Sequence, residues 1–289
     1  MFGCECCCLS SIVYYVGVIT IAIKVVPFLQ RLIKGEKPLE LQEKNYKKDV
    51  VYLYQFPGSA TASSLSPFCI KVEAFCRLHK LQFERRNTFS ARGQKGLLPF
   101  IELNGQHHAD SQIIFRRLIE HFQLKAYPDE QAAAIGHAID RLLDNHFFNL
   151  KLMTKKGVSG KAVAAIAAGR VPTLLIPLVS LVVGWLWAKK MGERAAIAVG
   201  QFKEKEYNEL LRNDIIQLQT ILGKKQFLLG EEPSAVDCTA FGQLASTYAT
   251  PTARFYLNDL LDSSEFSPLR DYIDRVKTRI FGNEFCDVK

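Results

Sequence analysis

The amino-acid sequence predicts an α+β protein preceded by an apolar anchor, and three observations carry this. Strand-like and helix-like patterns alternate from Val50 to about residue 125. From residue 126 onward only helical spacing recurs. Ahead of both, Leu9 to Ile23 carries no charge. At 289 residues the chain is long enough for two domains. The expected boundaries are 1–34 for a cysteine cluster and anchor, 35–49 for a charged linker, 50–125 for a mixed domain and 126–289 for a helical one.

The first element is the apolar run. Lys24 interrupts it and Val25 to Leu29 extends it, so spanning length is reached when Lys24 snorkels to the interface. No Lys or Arg precedes it and no clean cleavage site follows, which favours an uncleaved membrane anchor over residues 9–33. Lys24, Arg31, Lys34 and Lys37 lie on its C-terminal side and Glu5 before it, so the body is expected in the cytosol. The organelle stays open, an endolysosomal membrane included. A buried or interfacial helix is the competing reading. Cys4, Cys6, Cys7 and Cys8 sit beside this run. They have three readings: S-acylation, which needs the opposite orientation; a soft-metal site for cadmium, zinc or copper(I); or an idle tail. Their spacing is not that of a structural zinc site. Eight cysteines scattered over a long chain do not form a secreted disulfide framework.

In the mixed domain, Val50 to Phe56 reads as a buried strand and Pro57 to Ser66 as a loop. A helix opens at Pro67, with apolar residues at Phe68, Val72, Phe75, Cys76 and Leu78. Gln82 to Asn87 reads as a second strand, Leu98-Pro99-Phe100-Ile101-Glu102 as a proline-headed third, and Asn104-Gly105 as a turn. Asp110-Ser111 starts another helix. Ser66-x-x-Cys69 stands at a helix N-terminus, where a thiolate is stabilised. A serine in the first position cannot form a disulfide, which argues against a dithiol oxidoreductase, but its hydroxyl can donate to a bound thiolate. Cys69 is the weaker nucleophile candidate, with inert packing as its alternative. At the second helix start Ser111 can bond a carboxylate and Asp110 an amine, or both can be ordinary capping residues. This order resembles a thioredoxin-like domain of the glutathione-transferase kind. There the loop proline is cis, and the residue before it offers its backbone to the peptide.

In the helical half, amphipathic spacing predicts helices over Asp129–Lys156 and Phe202–Lys225, the second capped by Gly223. His146 is read as a hydrogen-bonded core or groove residue. Between the two helices Val171 to Ala188 is uncharged and is expected as a core or interfacial helix rather than a span. Ser234 and Asp237 form an S-x-x-D capping box, a structural feature. Ser267-Pro268 opens a last helix. The net charge of +8 is matched by the segment from Asn149 to Lys205, which holds ten Lys/Arg and two acids. Basic residues flanking an apolar run fit an anionic membrane surface better than nucleic acid.

These motifs together resemble the failed-axon-connections family, in the metaxin-like branch of glutathione-transferase folds. The resemblance is carried by Tyr54-Gln55-Phe56-Pro57, Ser64 to Glu73, Leu98 to Glu102, Asp144-Asn145-His146-Phe147 and Phe227 to Asp237. It covers about residues 50 to 285, and the N-terminus is similar to that of nematode cadmium-responsive members. The resemblance implies a thioredoxin-like N-terminal domain plus an all-α glutathione-transferase-like C-terminal domain. It also implies roles in metal and xenobiotic stress or in neuronal development, and glutathione as substrate or ligand, with no tightly bound cofactor. Ser66 falls at the catalytic position, and Leu98, Pro99, Asp110 and Ser111 fall at glutathione positions. The expected function is therefore a membrane-anchored, cadmium-responsive, transferase-like protein that binds glutathione between its domains, with a homodimer among its expected assemblies. A non-catalytic membrane adaptor and metal sequestration by the N-terminal cysteines are the alternatives.

Overall fold

Val51–Gln55 forms β1, and all five of its residues are buried. In a computed structural model that describes residues 40–59, 61–64, 66–154, 174, 176–248 and 254–286, β1 lies inside a four-stranded sheet. Helix α1 (Pro67–Leu78) follows, with Pro67 in its first turn, where a missing N–H costs nothing. β2 (Phe83–Asn87) pairs parallel to β1, β3 (Phe100–Leu103) pairs antiparallel to β1, and β4 (Gln106–Ala109) pairs antiparallel to β3. The sheet order is β2-β1-β3-β4. Asn104 and Gly105 join β3 to β4 with φ of 50° and 74°. Asn and Gly tolerate that left-handed pair, which matches the twist of a tight hairpin. Helix α2 (Ser111–Phe122) then covers the sheet alongside α1.

At β1 and β3 the sheet is buried on both faces. Val51 and Leu53 pack with Ile70, Phe75 and Ile114. Tyr52 and Tyr54 face the other way, with Cys69, Leu98 and Phe100, and the Tyr54 and Phe100 rings stack at 4.4 Å.

The helical half begins at α3 (Glu130–Arg141), where the Asp129 side chain accepts from the Ala132 N–H. A π-helical turn (Leu142–Phe147) carries α3 into α4 (Phe148–Thr154), so the long helix expected from Asp129 is continuous but locally widened. Helix α5 is Ile176–Val199, α6 Glu204–Leu222, α7 Ala235–Tyr248, α8 Tyr256–Asp262 and α9 Ser267–Ile280. The capping box is present: the Asp237 carboxylate accepts from the Ser234 N–H and hydroxyl, the Leu228 N–H and the Tyr272 hydroxyl. It anchors α7, which is buried along nearly its whole length.

Helix α7 packs against α1 and joins the two halves. Gly242 makes the close approach possible, since a Cβ there would lie 2.5 Å from the Pro67 carbonyl oxygen. The same seam holds Lys71, whose ammonium reaches Asp140 at 2.7 Å and Asp144 at 2.6 Å. Thr239 donates to Asp140 and Gln243 to Asp144. Burial raises the Asp140 carboxyl, but the Lys71 charge and hydrogen bonds outweigh it and the net shift is down. For Asp144 burial prevails and the carboxyl moves up.

Two expectations change. The linker does not extend to residue 49. The Glu43 N–H donates to Glu102 at 2.8 Å, and Asp49 bonds Asn104 and His121, so 43–49 belongs to the folded unit that runs from Glu43 to the C-terminus. The run expected over Val171–Ala188 is described from Ile176 and continues past Lys189-Lys190 to Val199. It is not a core helix: among its described residues only Gly184 and Ala195 are buried, while Leu178, Leu181, Val182, Trp185 and Leu186 are exposed. No helix among the described residues is long and apolar enough to cross a membrane. The anchor expected over 9–33 and the cysteines Cys4, Cys6, Cys7 and Cys8 lie outside the described residues.

Candidate functional site

A cavity of about 140 Å³ lies where α1, the segment leading into β3, the N-terminus of α2, the π turn and α5 converge. Leu98, Pro99, Asp110 and Ser111, four residues singled out from sequence, line it together. The Leu98-Pro99 peptide is cis. The N–H and C=O of Leu98 pair with no other described backbone group, which leaves them available to an added extended segment. Asp110 caps α2 at φ 87°, a backbone conformation that costs a non-glycine residue roughly 1–3 kcal/mol. One of its carboxylate oxygens accepts from the Gln112 N–H at 3.0 Å, and the other has no partner among the described residues.

Ser111 is 5% exposed, and its hydroxyl has no hydrogen-bond partner among the described residues. It sits in the first turn of α2, where the free N–H groups and the dipole favour an anion. The opposite wall bears Asn145 from the π turn and Arg194 from α5, and Lys95 stands at the rim. Arg194 lies over the Phe148 ring at 5.8 Å, Phe148 meets Phe68 edge-on at 4.7 Å, and Phe68 lines the cavity. Neither Lys95 nor Arg194 forms an ion pair among the described residues. Asp144 also lines the cavity, but both its oxygens are engaged by Lys71 and Gln243.

This arrangement suits a ligand with an ammonium and a carboxylate. Asp110 offers a negative oxygen, Ser111 and the start of α2 offer donors, and Lys95 and Arg194 offer positive charge. The volume is below the roughly 300–1,000 Å³ of pockets that enclose drug-sized ligands. It therefore fits one end of a small peptide.

Ser66 and Cys69 do not line this cavity. Ser66 caps α1 without a side-chain capping bond, is 9% exposed, and contacts the Cys69 thiol together with Ser64 and the Phe56 backbone. Cys69 is fully buried, and burial pushes its thiol up to about 11. Packed among Tyr52, Tyr54 and Phe100, the thiol is favoured in its protonated form, which fits the packing alternative for Cys69. His146 bonds Asp214 at 2.8 Å, as its reading as a groove residue requires. Among the described residues no group of three His, Cys, Asp or Glu is placed to hold a metal.

Comparison with known proteins fits this geometry. Residues 67–156 match the glutathione S-transferase N-terminal domain, and residues 211–276 match the glutathione S-transferase C-terminal domain. This is a glutathione-transferase-fold protein. Its described residues hold both the thioredoxin-like domain and the helical transferase domain. The chain is similar to Failed axon connections of Drosophila melanogaster, with 29% identity over 273 residues. That alignment takes in 88% of this chain and 65% of the fly protein, so the chain spans just under two thirds of that relative's length. Among solved structures it resembles a beta-etherase of Sphingobium, with a TM-score of 0.57, 17% identity, and coverage of 81% of this chain and 98% of that one. It also resembles a glutathione S-transferase of Methylobacterium radiotolerans solved with glutathione sulfonate. There the TM-score is 0.51, with 16% identity over 83% of this chain and 96% of that one.

Within this fold, Phe68, Lys95, Gln112, Asn145 and Arg194 join the cavity without having been singled out from sequence. Asn145 stands inside a motif that carried the family resemblance. Arg194 registers in the sequence only as one charge of a basic segment. It reaches the cavity because α5 packs on α4 and the π turn, a long-range contact that no local pattern encodes.

Proposed function

We propose that this transferase-fold protein binds glutathione, or a glutathione conjugate, with the γ-glutamyl end in the cavity at the start of α2. The observation that carries the reading is the convergence of Leu98, Pro99, Asp110 and Ser111 on one cavity with Ser111 buried and unpartnered. Ser111 and the first N–H groups of α2 hold the α-carboxylate, and the free oxygen of Asp110 holds the α-ammonium. Leu98 pairs with the cysteinyl backbone as a short added strand. The neighbouring transferase of Methylobacterium radiotolerans, solved with glutathione sulfonate, supports the same class of ligand.

Binding is better supported than transfer. Ser66, expected to orient the thiolate, contacts Cys69 and is absent from the cavity lining. A non-catalytic, ligand-sensing role is therefore the second reading. Isothermal calorimetry on the full chain tests the proposal. Wild type should bind glutathione at micromolar to millimolar concentration, and Ser111→Ala should weaken binding about tenfold, the loss of one hydrogen bond to a charged group. A folded wild type that takes up no glutathione removes this reading.

The cadmium-stress role, the anchor over 9–33 and the cytosolic body belong to the same proposal and rest on the N-terminal sequence. Deleting residues 1 to 8 should abolish tight cadmium uptake and spare glutathione binding. Cadmium binding that survives the deletion excludes the cysteine cluster as its site.

A further inference from the structure

Helix α5 carries an apolar surface that is exposed among the described residues. Leu178, Leu181, Val182 and Trp185 follow the i, i+3, i+4, i+7 spacing of one helical face. Leu181 is 72% exposed and Trp185 62%. Leu186 flanks this stripe, and Leu174, just before the helix, is 89% exposed. Soluble monomers rarely expose so many large apolar side chains side by side, and such a patch marks an interaction surface. The opposite side of the helix, at Gly184 and Ala195, packs on the rest of the molecule.

The chemistry around the stripe selects its occupant. Lys189 continues the same face one turn beyond Trp185, with its ammonium 5.6 Å from the Trp185 ring. Lys190 follows, also exposed, and neither lysine forms an ion pair among the described residues. A leucine stripe ended by tryptophan and lysine matches the layering of a bilayer surface: acyl chains, then the interfacial level that tryptophan prefers, then anionic headgroups. A second copy of the chain fits less well. A two-fold contact of parallel helices would bring Lys189 and Lys190 of both copies together, and an antiparallel one would set them against the partner's apolar Leu174 end.

We infer that α5 is an interfacial helix that lays its Leu178–Trp185 face into a membrane surface containing anionic phospholipid, with Lys189 and Lys190 on the headgroups. The helix lies on the bilayer and does not cross it. This attachment is separate from any made by residues 9–33, and it stands whether or not the cavity binds glutathione.

The chain supplies its own probe. Its two tryptophans, Trp185 and Trp187, both fall within α5, so tryptophan emission reports on this helix alone. The full chain is mixed with phosphatidylcholine vesicles with and without phosphatidylserine. With phosphatidylserine the emission should shift to the blue and be quenched by lipids brominated on the acyl chains. Phosphatidylcholine alone should have little effect. Lys189→Gln with Lys190→Gln should raise the lipid concentration for half of the shift by at least about tenfold. Emission that stays as in buffer while the protein sediments with vesicles overturns the inference, because attachment then lies elsewhere. A blue shift that grows with protein concentration in the absence of lipid also overturns it, in favour of a second copy. Equal shifts on both vesicle types overturn the anionic choice.

Discussion

Ser66 and Cys69 occupy the helix start where a thiol-handling protein keeps its chemistry, yet the two side chains face each other and not the cavity. At the N-terminus of α1 the dipole favours a thiolate. Complete burial of Cys69 opposes it and prevails, raising the thiol to about 11. At about pH 8 a thiol with that pKa is ionised about one part in a thousand, against about a quarter for a free cysteine. Native protein treated with iodoacetamide should therefore leave Cys69 unlabelled while the half-buried Cys286 reacts, as read by peptide mass mapping. Labelling of Cys69 at the rate of Cys286 would mean that the α1 start opens in solution. Ser111 shows the converse: it is as buried as a core residue, but its hydroxyl has no partner among the described residues. That hydroxyl opens into the cavity and is free to donate to a ligand's carboxylate.

Helices α1 and α7 form the seam that makes the two halves one body, and Gly242 sets their distance. By helix propensity alone, Gly242→Ala should stabilise α7 by about 1 kcal/mol. The seam reverses the sign. The new Cβ would meet the Pro67 carbonyl oxygen at 2.5 Å and the Lys71 nitrogen at 3.0 Å, both backbone atoms that cannot swing aside. The expected outcome is a loss of about 2 kcal/mol, seen as a lower urea midpoint in far-UV circular dichroism. An unchanged or higher midpoint would show that the helices separate without cost. Most elements were legible because their signals are local. Pro67 opens α1, Asp110 caps α2, Gly223 ends α6, and the Ser234–Asp237 box starts α7. Helix α5 was only partly legible. Its apolar composition reads equally as core or as interface, and only its packing shows that one narrow side is covered. The π turn was not legible at all, since Leu142 to Phe147 keeps ordinary helical spacing.

For the molecule as a whole, the cavity belongs to both halves. The sheet half brings the Leu98 backbone, Asp110 and Ser111, and the helical half brings Asn145 and Arg194. The first group was readable because it falls on element ends within some fifteen residues. The second was not, because the Lys71–Asp140–Asp144 cluster and the α1–α7 seam decide which helix residues meet it. That cluster is a positioning device. A buried ammonium between two carboxylates is costly to break and fixes the register of the halves. We propose that this shared cavity takes the γ-glutamyl end of glutathione. A crystal structure of the protein with glutathione tests it most directly. The γ-glutamyl carboxylate should lie on Ser111 and the first N–H groups of α2, its ammonium on Asp110, and the cysteinyl backbone alongside Leu98. Glutathione bound elsewhere, with the cavity filled only by water, would contradict it.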